Sequence, residues 1–295
     1  MPEQRPLSAG DAVGPYTVVR PLGGGGTGEV YLALDAQGGE AALKLLRPEA
    51  DQADPRTRQR FEREGEVLLR FQHPNVIRLL ARGRDEQLAR HWMALELVSG
   101  SDLASLLGRV PALPRPVALH VIEGCARALA AAHEVGVVHR DVKAANVLVT
   151  GAGEVKLADF GLALMLGQTR VTARDEIPGT LPYMAPEVLL MSDWTPASDA
   201  YALGVLAHRV LSGALPFAHK DPTRVVEDHL RTPPPDLSAL VPGLPVELAR
   251  LVAALMHKEP RERLAVGQAL ERIRAAGLSP DPEQARQGAR ALLGP

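Results

Sequence analysis

The sequence contains one cysteine, and only 3% of its residues are aromatic. A single cysteine cannot form an intrachain disulfide, which excludes a disulfide-stapled secreted scaffold and favours a reducing, cytoplasmic compartment. Cys125 itself is interpreted as a small buried apolar residue in a helix and not as a reactive thiol. The scarcity of aromatics indicates a core built from Leu, Val and Ala.

A long apolar run and a large net charge are also missing. No apolar stretch approaches the ~18 residues of a membrane-spanning helix, and the N-terminus shows no secretory hydrophobic region. The formal net charge is −2, which indicates neither nucleic acid nor an anionic lipid surface as a partner. We therefore expect no nucleic-acid partner and no membrane association.

The pattern of apolar residues changes along the chain. Within about residues 12–97 it favours short strands, including runs at 75–80 and 91–98, and one helix over 55–71. Within about 101–275 it favours long apolar-periodic helices. The sequence therefore predicts an α+β fold in which a small β-rich part precedes a larger helical part.

A glycine-rich turn joins two predicted strands near the N-terminus. Gly23, Gly25 and Gly28 with Val30 form G-x-G-x-x-G-x-V. Backbone N–H groups in such a turn can approach a polyphosphate because no side chain intervenes. A strand follows, and not the helix of a dinucleotide-binding motif. Taken alone the pattern is weak, because any glycine-rich hairpin could show it.

Lys44 lies in the apolar run AALKLL, where an unpaired ammonium would be unfavourable. The helix predicted over 55–71 can supply an anion. At 100° per residue, Glu64 shares the apolar face with Leu68, whereas Glu62 and Glu66 point away. Glu64 is therefore predicted to pair with Lys44, although two unrelated charges remain the alternative when these residues are taken alone.

The segment at residues 139–146, HRDVKAAN, joins a predicted helix to a strand-like run, as a catalytic loop does. Asp141 can accept the proton of an attacking hydroxyl, and Lys143 can neutralise charge on a transferring phosphoryl group. Asn146 can ligate Mg²⁺ through its amide oxygen, and Asp159 of the later Asp-Phe-Gly offers a second hard oxygen. A chance polar loop is a poor alternative, because several functional residue types fall at fixed spacing.

In this order the motifs resemble the eukaryotic-like protein kinases, most of all the bacterial serine/threonine branch. The resemblance covers about residues 14–270 and includes the Ala-Pro-Glu at 185–187. It implies a two-lobed fold with ATP and Mg²⁺ or Mn²⁺ in the cleft between the lobes. The boundaries that follow are a flexible segment 1–13, a kinase domain 14–275 with N-lobe 14–97, hinge 96–100 and C-lobe 101–275, and an extension of helical pattern 276–295.

The resemblance also implies roles for single residues. Asp141 would be the catalytic base with Lys143 beside it, Lys44 would hold phosphates and pair with Glu64, and Asn146 and Asp159 would hold two Mg²⁺ ions. The residues expected to bind ATP are Leu22, Gly23, Gly25, Gly28, Val30, Ala42, Lys44, Leu95, Glu96, Val98 and Leu148. The residues expected to support the site are Glu187, which would pair with Arg263, and Asp199, which would anchor the catalytic loop.

Two positions imply serine and threonine, not tyrosine, as the substrate residues. These are Lys143, two residues after the base, and Thr180, in a segment that resembles the substrate loop of the Ser/Thr kinases. Arg140 would receive a phosphate from the activation loop by charge-assisted hydrogen bonds. We expect autophosphorylation at Thr169, Thr172 or both, because the loop contains no serine.

Other interpretations remain open from the sequence. A nucleotide-binding pseudokinase scaffold is disfavoured by the intact catalytic side chains. A small-molecule kinase of the antibiotic-phosphorylating type is disfavoured by the segments around Thr180 and Glu187, which build a protein-substrate platform. Gly65 costs the helix that carries Glu64 about 1 kcal/mol relative to alanine, so we expect activation by a homodimer contact or by a protein partner.

Overall fold

The computed structural model of the chain describes residues 6–24, 28–48, 55–160, 164–165 and 180–294. Gly25, Thr169 and Thr172, to which the sequence assigns ATP binding and regulation, lie outside these residues. The predicted α+β fold class is confirmed, because strands dominate the first part of the chain and helices dominate the second. The chain forms two compact units.

The first unit contains Met1–Gln72 and Ile77–Val98 and is built on a six-stranded antiparallel sheet. Its strands are β1 (Ala12–Val13), β2 (Tyr16–Gly24), β3 (Gly28–Leu34), β4 (Glu40–Leu46), β5 (Leu79–Asp85) and β6 (Arg90–Glu96). The spatial order of the strands is β1-β2-β3-β4-β6-β5. The two central strands, β3 and β4, are therefore each paired on both edges.

The two faces of this sheet differ along β4. Ala41, Leu43 and Leu45 are buried, while Ala42 and Lys44 between them are half-buried. This alternation follows from strand geometry, which points successive side chains to opposite faces. The core on the buried face consists of Leu7, Val13, Tyr16, Val18, Tyr31, Ala33, Ala41, Leu43, Leu45, Trp92 and Ala94.

Residues 6–13 differ from the prediction of a flexible segment over 1–13. The side chains of Leu7 and Val13 are buried in the core of the first unit. A turn brings them there, since the N–H of Ser8 donates to a carboxylate oxygen of Asp11 at 2.8 Å. Two apolar side chains spaced this way hold the segment against the sheet, which its Pro, Gly and Ser content did not suggest.

Helix α1 (Pro55–Arg70) carries Glu64 on its buried face. Gly65 follows directly, and a Cβ atom there would lie 2.8 Å from Cδ of Arg82. The Arg82 guanidinium crosses the helix at this point and donates to the carbonyl of Glu62 at 3.0 Å. The glycine that lowers the helix propensity of α1 thus makes room for a side chain that binds the helix.

The second unit contains His73–Val76 and Ser99–Pro295 and is mainly helical. Its helices are α2 (Leu103–Arg109), α3 (Arg115–Glu134), α4 (Pro186–Leu189), α5 (Pro196–Ser212), α6 (Pro222–Arg231), α7 (Leu237–Leu240), α8 (Val246–Leu255), α9 (Val266–Ala275) and α10 (Pro282–Leu293). Its short strands are β7 (Gly100–Asp102), β9 (Val147–Thr150) and β10 (Val155–Leu157) in one sheet, and β8 (Val137–Val138) paired with β11 (Leu164–Met165).

Helix α5 forms the centre of the second unit. It is buried along most of its length, as expected for a helix that is apolar on nearly all sides. Thr195 and Ser198 form a capping box at its start. It ends at Gly213, whose φ of 79° is left-handed, and a Cβ there would collide with the carbonyl oxygen of Pro111. Local sequence therefore defines the start of α5, and at its end the left-handed glycine also leaves room for the carbonyl of Pro111.

The predicted strand over 75–80 is wrong at its start, since β5 begins at Leu79. Asn75 is bound instead by the hairpin of the second unit. Its side chain donates to the carbonyl of Val155 at 2.8 Å, and its own carbonyl accepts from the N–H of Leu157 at 2.8 Å. Because its polar groups form these hydrogen bonds, Asn75 is not part of β5.

Residues 276–295, a stretch that the sequence left without a role, contain α10. Asp281 caps this helix by accepting from the N–H of Glu283 at 2.8 Å. Ala285 and Ala289 are buried where α10 packs on α3 and β9. Within the described ranges, no helix is both long and apolar enough to cross a bilayer.

Candidate active site

The glycine-rich turn lies between β2 and β3. At Gly28 a Cβ atom would come within 2.9 Å of the carbonyl oxygen of Leu45, so the pairing of β3 with β4 requires glycine there. At Gly23, paired with Val30, a Cβ would meet nothing within 4 Å, so no steric need explains that glycine. Leu22, just before it, is among the exposed large apolar residues.

Lys44 and Glu64 are brought together in the first unit. The Lys44 Nζ atom donates to Oε2 of Glu64 at 2.7 Å. Glu64 is 2% exposed and Lys44 is 18% exposed, so the pair is largely withdrawn from water. Removing one member of such a pair leaves an uncompensated buried charge, which is strongly unfavourable. The ammonium is therefore held at a defined point of the sheet.

An apolar surface lies beside this ammonium. Val30 is the cross-strand partner of Lys44, Ala42 precedes Lys44 by two residues, and Leu95 is the cross-strand partner of Ala42. These four side chains share one sheet face, because directly paired residues and residues two apart point the same way. A flat apolar group and an anion could be bound side by side on this face.

The remaining adenine-binding predictions lie at the end of β6 and in the second unit. The N–H of Glu96 donates to the carbonyl of Arg78 at 2.9 Å, at the point where β6 ends. Val98 is half-buried just beyond β6. Leu148 is half-buried in β9, in the second unit. The roles of these residues stay predictions.

In the second unit, Asp199 holds the start of the catalytic loop. Its carboxylate accepts from the N–H of His139 at 2.8 Å, from the N–H of Arg140 at 2.9 Å, and bonds to Nε2 of His133 at 2.8 Å. Burial by itself would raise the pKa of Asp199, but the hydrogen bonds and charges around it outweigh burial and lower this pKa. With its N–H bound to Asp199, Arg140 has a left-handed φ of 72°. Non-glycine residues adopt such a φ only when the surroundings impose it.

Asp141 lies at the centre of a polar cluster. Its Oδ1 accepts from the hydroxyl of Thr180 at 3.0 Å, and its Oδ2 lies 2.8 Å from Nζ of Lys143 and 3.0 Å from Nδ2 of Asn146. Lys143 also donates to the Thr180 hydroxyl at 3.0 Å. The structure thus joins the predicted base, the lysine and the threonine of the substrate loop around one buried carboxylate.

Asn146 and Asp159 are suited to hold a divalent cation. Both N–H groups of the Asn146 amide face Asp141, since Nδ2 donates to its carbonyl at 2.8 Å and to its carboxylate. The amide oxygen is what remains for a ligand. Asp159 follows β10 with a left-handed φ of 63°, next to the fully buried Phe160. An amide oxygen and a carboxylate are hard donors of the kind that Mg²⁺ and Mn²⁺ take.

Glu187 and Arg263 form a bidentate ion pair. Nη1 and Nη2 of Arg263 donate to the two carboxylate oxygens of Glu187 at 2.7 and 2.9 Å. Arg263 also donates to the carbonyl of Ala197 at 2.7 Å, which links α4 to the start of α5. Parallel donation by a planar guanidinium fixes geometry as well as charge.

His133 was missed by the sequence reasoning. It lies on α3, and its bond to Asp199 makes it a support of the catalytic loop. The available signal was a histidine on a largely buried, apolar helix, because a buried polar group needs a partner. No periodicity in the sequence, however, names Asp199 as that partner.

Comparison with known proteins identifies the family. The protein kinase domain model matches residues 16–273. Serine/threonine-protein kinase PknJ of Mycobacterium tuberculosis is 37% identical, over 96% of this chain and 50% of its own length. PknA of the same organism is 36% identical over 92% and 64%, and PknF is 38% identical over 88% and 55%. This chain therefore spans between 50% and 64% of the length of these relatives. Every motif described above, from Gly23 to Arg263, falls within the matched residues, and the chain belongs to the protein kinase family.

Proposed function

We propose that this chain transfers the γ-phosphoryl group of ATP to serine or threonine hydroxyls of protein substrates. One observation carries the proposal. The Asp141 carboxylate accepts a hydrogen bond from the Thr180 hydroxyl at 3.0 Å, with the Lys143 ammonium 2.8 Å away. A carboxylate that already accepts from an alcohol beside a fixed cation can also take a proton from an incoming alcohol.

In the proposed reaction the substrate hydroxyl oxygen attacks the γ-phosphorus of ATP. The bond from that phosphorus to the β,γ-bridging oxygen breaks, ADP leaves, and the hydroxyl proton passes to Asp141. The ammonium of Lys143 stabilises the charge that develops on the phosphoryl oxygens. Asp199 supports these steps indirectly, because it holds the backbone of the loop that carries both residues.

The nucleotide is assigned to the half-buried face of the first unit. The apolar side chains of Val30, Ala42 and Leu95 would contact adenine, and the ammonium of Lys44 would bind the α- and β-phosphates. Bound Mg²⁺ or Mn²⁺ supplies charge neutralisation to the phosphates, and Asn146 and Asp159 would hold it.

Serine and threonine are favoured as substrate residues by two observations. Lys143 and Thr180 contact each other and the base, and the relatives reported above are named serine/threonine-protein kinases. The pseudokinase alternative is not supported, because the residues needed for transfer are present and the base is hydrogen-bonded. A homodimer or an activating partner, a cytoplasmic location and the lack of a nucleic-acid partner stay predictions.

Autophosphorylation of the activation loop is part of the proposal. Thr169 and Thr172 are its candidate sites, and Arg140, held by Asp199, would bind the added phosphate. The support is chemical, since a phosphate bound by the guanidinium of Arg140 would hold the catalytic loop next to the base. Mass spectrometry of the protein after incubation with ATP and Mg²⁺ should find phosphate on one of these threonines.

The test of the base is Asp141→Asn. Asparagine cannot take the hydroxyl proton, so transfer to a protein substrate and to the activation loop should fall roughly 100- to 10,000-fold. ATP binding, measured by calorimetry, should be retained because Lys44 and Glu64 are untouched. The matched control is Asp221→Asn, since exposed Asp221 only caps α6 and asparagine caps equally well.

Unchanged transfer in Asp141→Asn would show that another group takes the proton. Wild-type protein that binds ATP but transfers phosphate to neither Ser nor Thr substrates would instead support the pseudokinase alternative.

A further inference from the structure

A half-buried ammonium lies outside the catalytic cluster, five residues before Arg263, which donates to the carbonyl of Lys258 at 3.0 Å. Lys258, which follows α8, donates from Nζ to the carbonyls of His229 at 2.8 Å and Asp228 at 3.1 Å. It also donates to the hydroxyl of Tyr201 at 3.3 Å and lies 4.5 Å from the ring centroid of Phe217. A cation held by carbonyls and aromatic faces binds α6 to α5.

The hydrogen bonds beyond Lys258 have a defined direction. An ammonium only donates, so the Tyr201 oxygen accepts from Lys258 and its hydroxyl donates to Nδ1 of His229 at 2.9 Å. His229 then carries its proton on Nε2. This atom is buried and has no hydrogen-bond partner in the described part of the chain. Helix α6, which carries His229, packs on the turn Leu181–Tyr183 that contains Pro182. The charge of Lys258 thus fixes the direction of the hydrogen bond between Tyr201 and His229, which joins α5 to α6.

Pro182 lies in the substrate loop, whose described part is residues 180–183. The segment Leu181–Tyr183 forms a 3₁₀ turn in which the N–H of Tyr183 donates to the carbonyl of Thr180 at 2.9 Å. The Thr180 hydroxyl in turn contacts Asp141. One end of the loop is therefore fixed by the catalytic cluster, and the other end faces the Lys258 cluster.

We propose that Lys258 is a positioning residue for the protein substrate. Acting through Tyr201 and His229, its ammonium joins α6 to α5, and both helices pack against the turn Leu181–Tyr183, where the chain next to the reacting hydroxyl must bind. This inference rests on the proposed function, because it assigns a role to the loop of a protein kinase that acts on Ser or Thr.

The charge state of the cluster is sensitive to pH. Burial and the neighbouring Arg263 lower the pKa of Lys258 to about 8, against an opposing effect of Asp228. Burial and the charge of Lys258 lower the pKa of His229 to about 4, opposed by the Pro182 carbonyl and Asp228. Burial raises the pKa of Tyr201, which keeps its proton throughout.

When Lys258 loses its proton, the hydrogen bonds from Lys258 to Tyr201 and from Tyr201 to His229 no longer run in one fixed direction. The resulting amine can accept from Tyr201, so the hydroxyl no longer has to donate to His229. Substrate binding should therefore weaken as the pH rises through about 8. The stability of the folded protein changes in the opposite direction as the pH rises. Because the folded pKa lies below the ordinary 10.5, the Lys258 contribution to unfolding free energy rises between these two pH values.

The experiment compares wild type with Lys258→Met, which keeps an unbranched apolar stem without the charge. KM for a serine-containing peptide should rise about tenfold in the variant, while KM for ATP stays the same. Between pH 7 and pH 9 the ratio of wild-type to variant kcat/KM for the peptide should fall towards one. Titrations common to both proteins cancel in this ratio. The control is Lys220→Met, because Lys220 is exposed in the segment before α6.

A second measurement does not need activity. Hydrogen–deuterium exchange should show the Tyr183 amide less protected in Lys258→Met than in wild type, by about tenfold. Equal peptide KM and equal protection in the two proteins would overturn the inference, even if the variant melts at a lower temperature. Wild-type protein with no transfer at all would reject the proposed function, and the exchange measurement would still decide the role of Lys258.

Discussion

Lys44 and Glu64 show how single charged side chains can be buried without unfolding their surroundings. Each lies among apolar neighbours, and each is stable there because the other supplies the opposite charge at 2.7 Å. The same logic applies to Asp141, whose carboxylate is surrounded by donors from three side chains. Substitutions that keep shape and remove one charge therefore test these assignments most directly.

Glu64→Gln keeps the size of the side chain and removes its charge. The Lys44 ammonium would lose its anion, and kcat/KM for ATP should fall roughly 10- to 100-fold, the range of a hydrogen bond to a charged group. Steady-state kinetics at varied ATP measures the change. Glu66→Gln is the matched control, because Glu66 is exposed on the same helix. An equal fall of kcat/KM for ATP in both variants would show that Glu64 has no specific role in ATP binding.

Helix α10 packs so closely on α3 that adding one methyl group at Gly288 should affect stability. A Cβ added at Gly288 would lie 2.5 Å from Cγ2 of Val117, a buried and rotationally stiff side chain of α3. A Cβ added at Gly108, in α2, would meet nothing within 4 Å. The two glycines thus share helical backbone and differ in surroundings.

We expect Gly288→Ala to lower the free energy of unfolding by about 1 kcal/mol, because overpacking outweighs the gain in helix propensity. Gly108→Ala should leave it unchanged or raise it by up to about 1 kcal/mol. Urea unfolding of the two variants and wild type gives both values. A stabilised Gly288→Ala would show that α10 is free to move away from α3.

For the complete fold, buried histidines make stability depend on pH. His229 is fully buried, and its pKa of about 4 lies below the ordinary 6.5. Below pH 6.5 the unfolded chain binds a proton that folded His229 does not bind, so unfolding becomes easier as the pH falls towards 4. Burial lowers the pKa of His208 in the same direction.

His229→Gln removes this titration while glutamine can still accept from Tyr201. Wild type should lose about 3 kcal/mol more unfolding free energy than the variant between pH 6.5 and pH 4. Denaturant unfolding at a series of pH values measures the difference. His91→Gln, in the first unit, serves as control and should behave as wild type. Parallel curves for wild type and His229→Gln would contradict the burial of a neutral ring.

Element types and the main chemical groups could be read from local patterns, while strand limits could not. The 3.6-residue period predicts Glu64 on the inner face of α1, and the short apolar run AALKLL predicts a strand around Lys44. The run at 75–80 misled, because the carbonyl of Asn75 binds the N–H of Leu157, which is far along the chain. A strand ends where its partners end, and partners are chosen by tertiary contacts.

Gly65 shows the same difference between what local sequence predicts and what tertiary contacts decide. Helix propensity alone marks it as a weakness of α1, whereas the structure shows the Arg82 side chain in the space that a Cβ would fill. The prediction of a partner-dependent helix rests on the helix propensity of Gly65 alone and does not include the contact with Arg82. The burial of residues 6–13 cannot be predicted locally for a similar reason, since it depends on the sheet against which Leu7 and Val13 pack.

The order and spacing of the side chains that carry the chemistry are properties of the chain itself, because a loop such as HRDVKAAN keeps its base, lysine and amide within one short segment. The grouping of Lys258 with Tyr201 and His229 is different. These residues lie on separate elements with no shared periodicity. They meet only because α5, α6 and the segment after α8 pack together and partly shield an ammonium from water. Desolvation and hydrogen-bond direction arise from that packing, so the three-dimensional fold alone decided them.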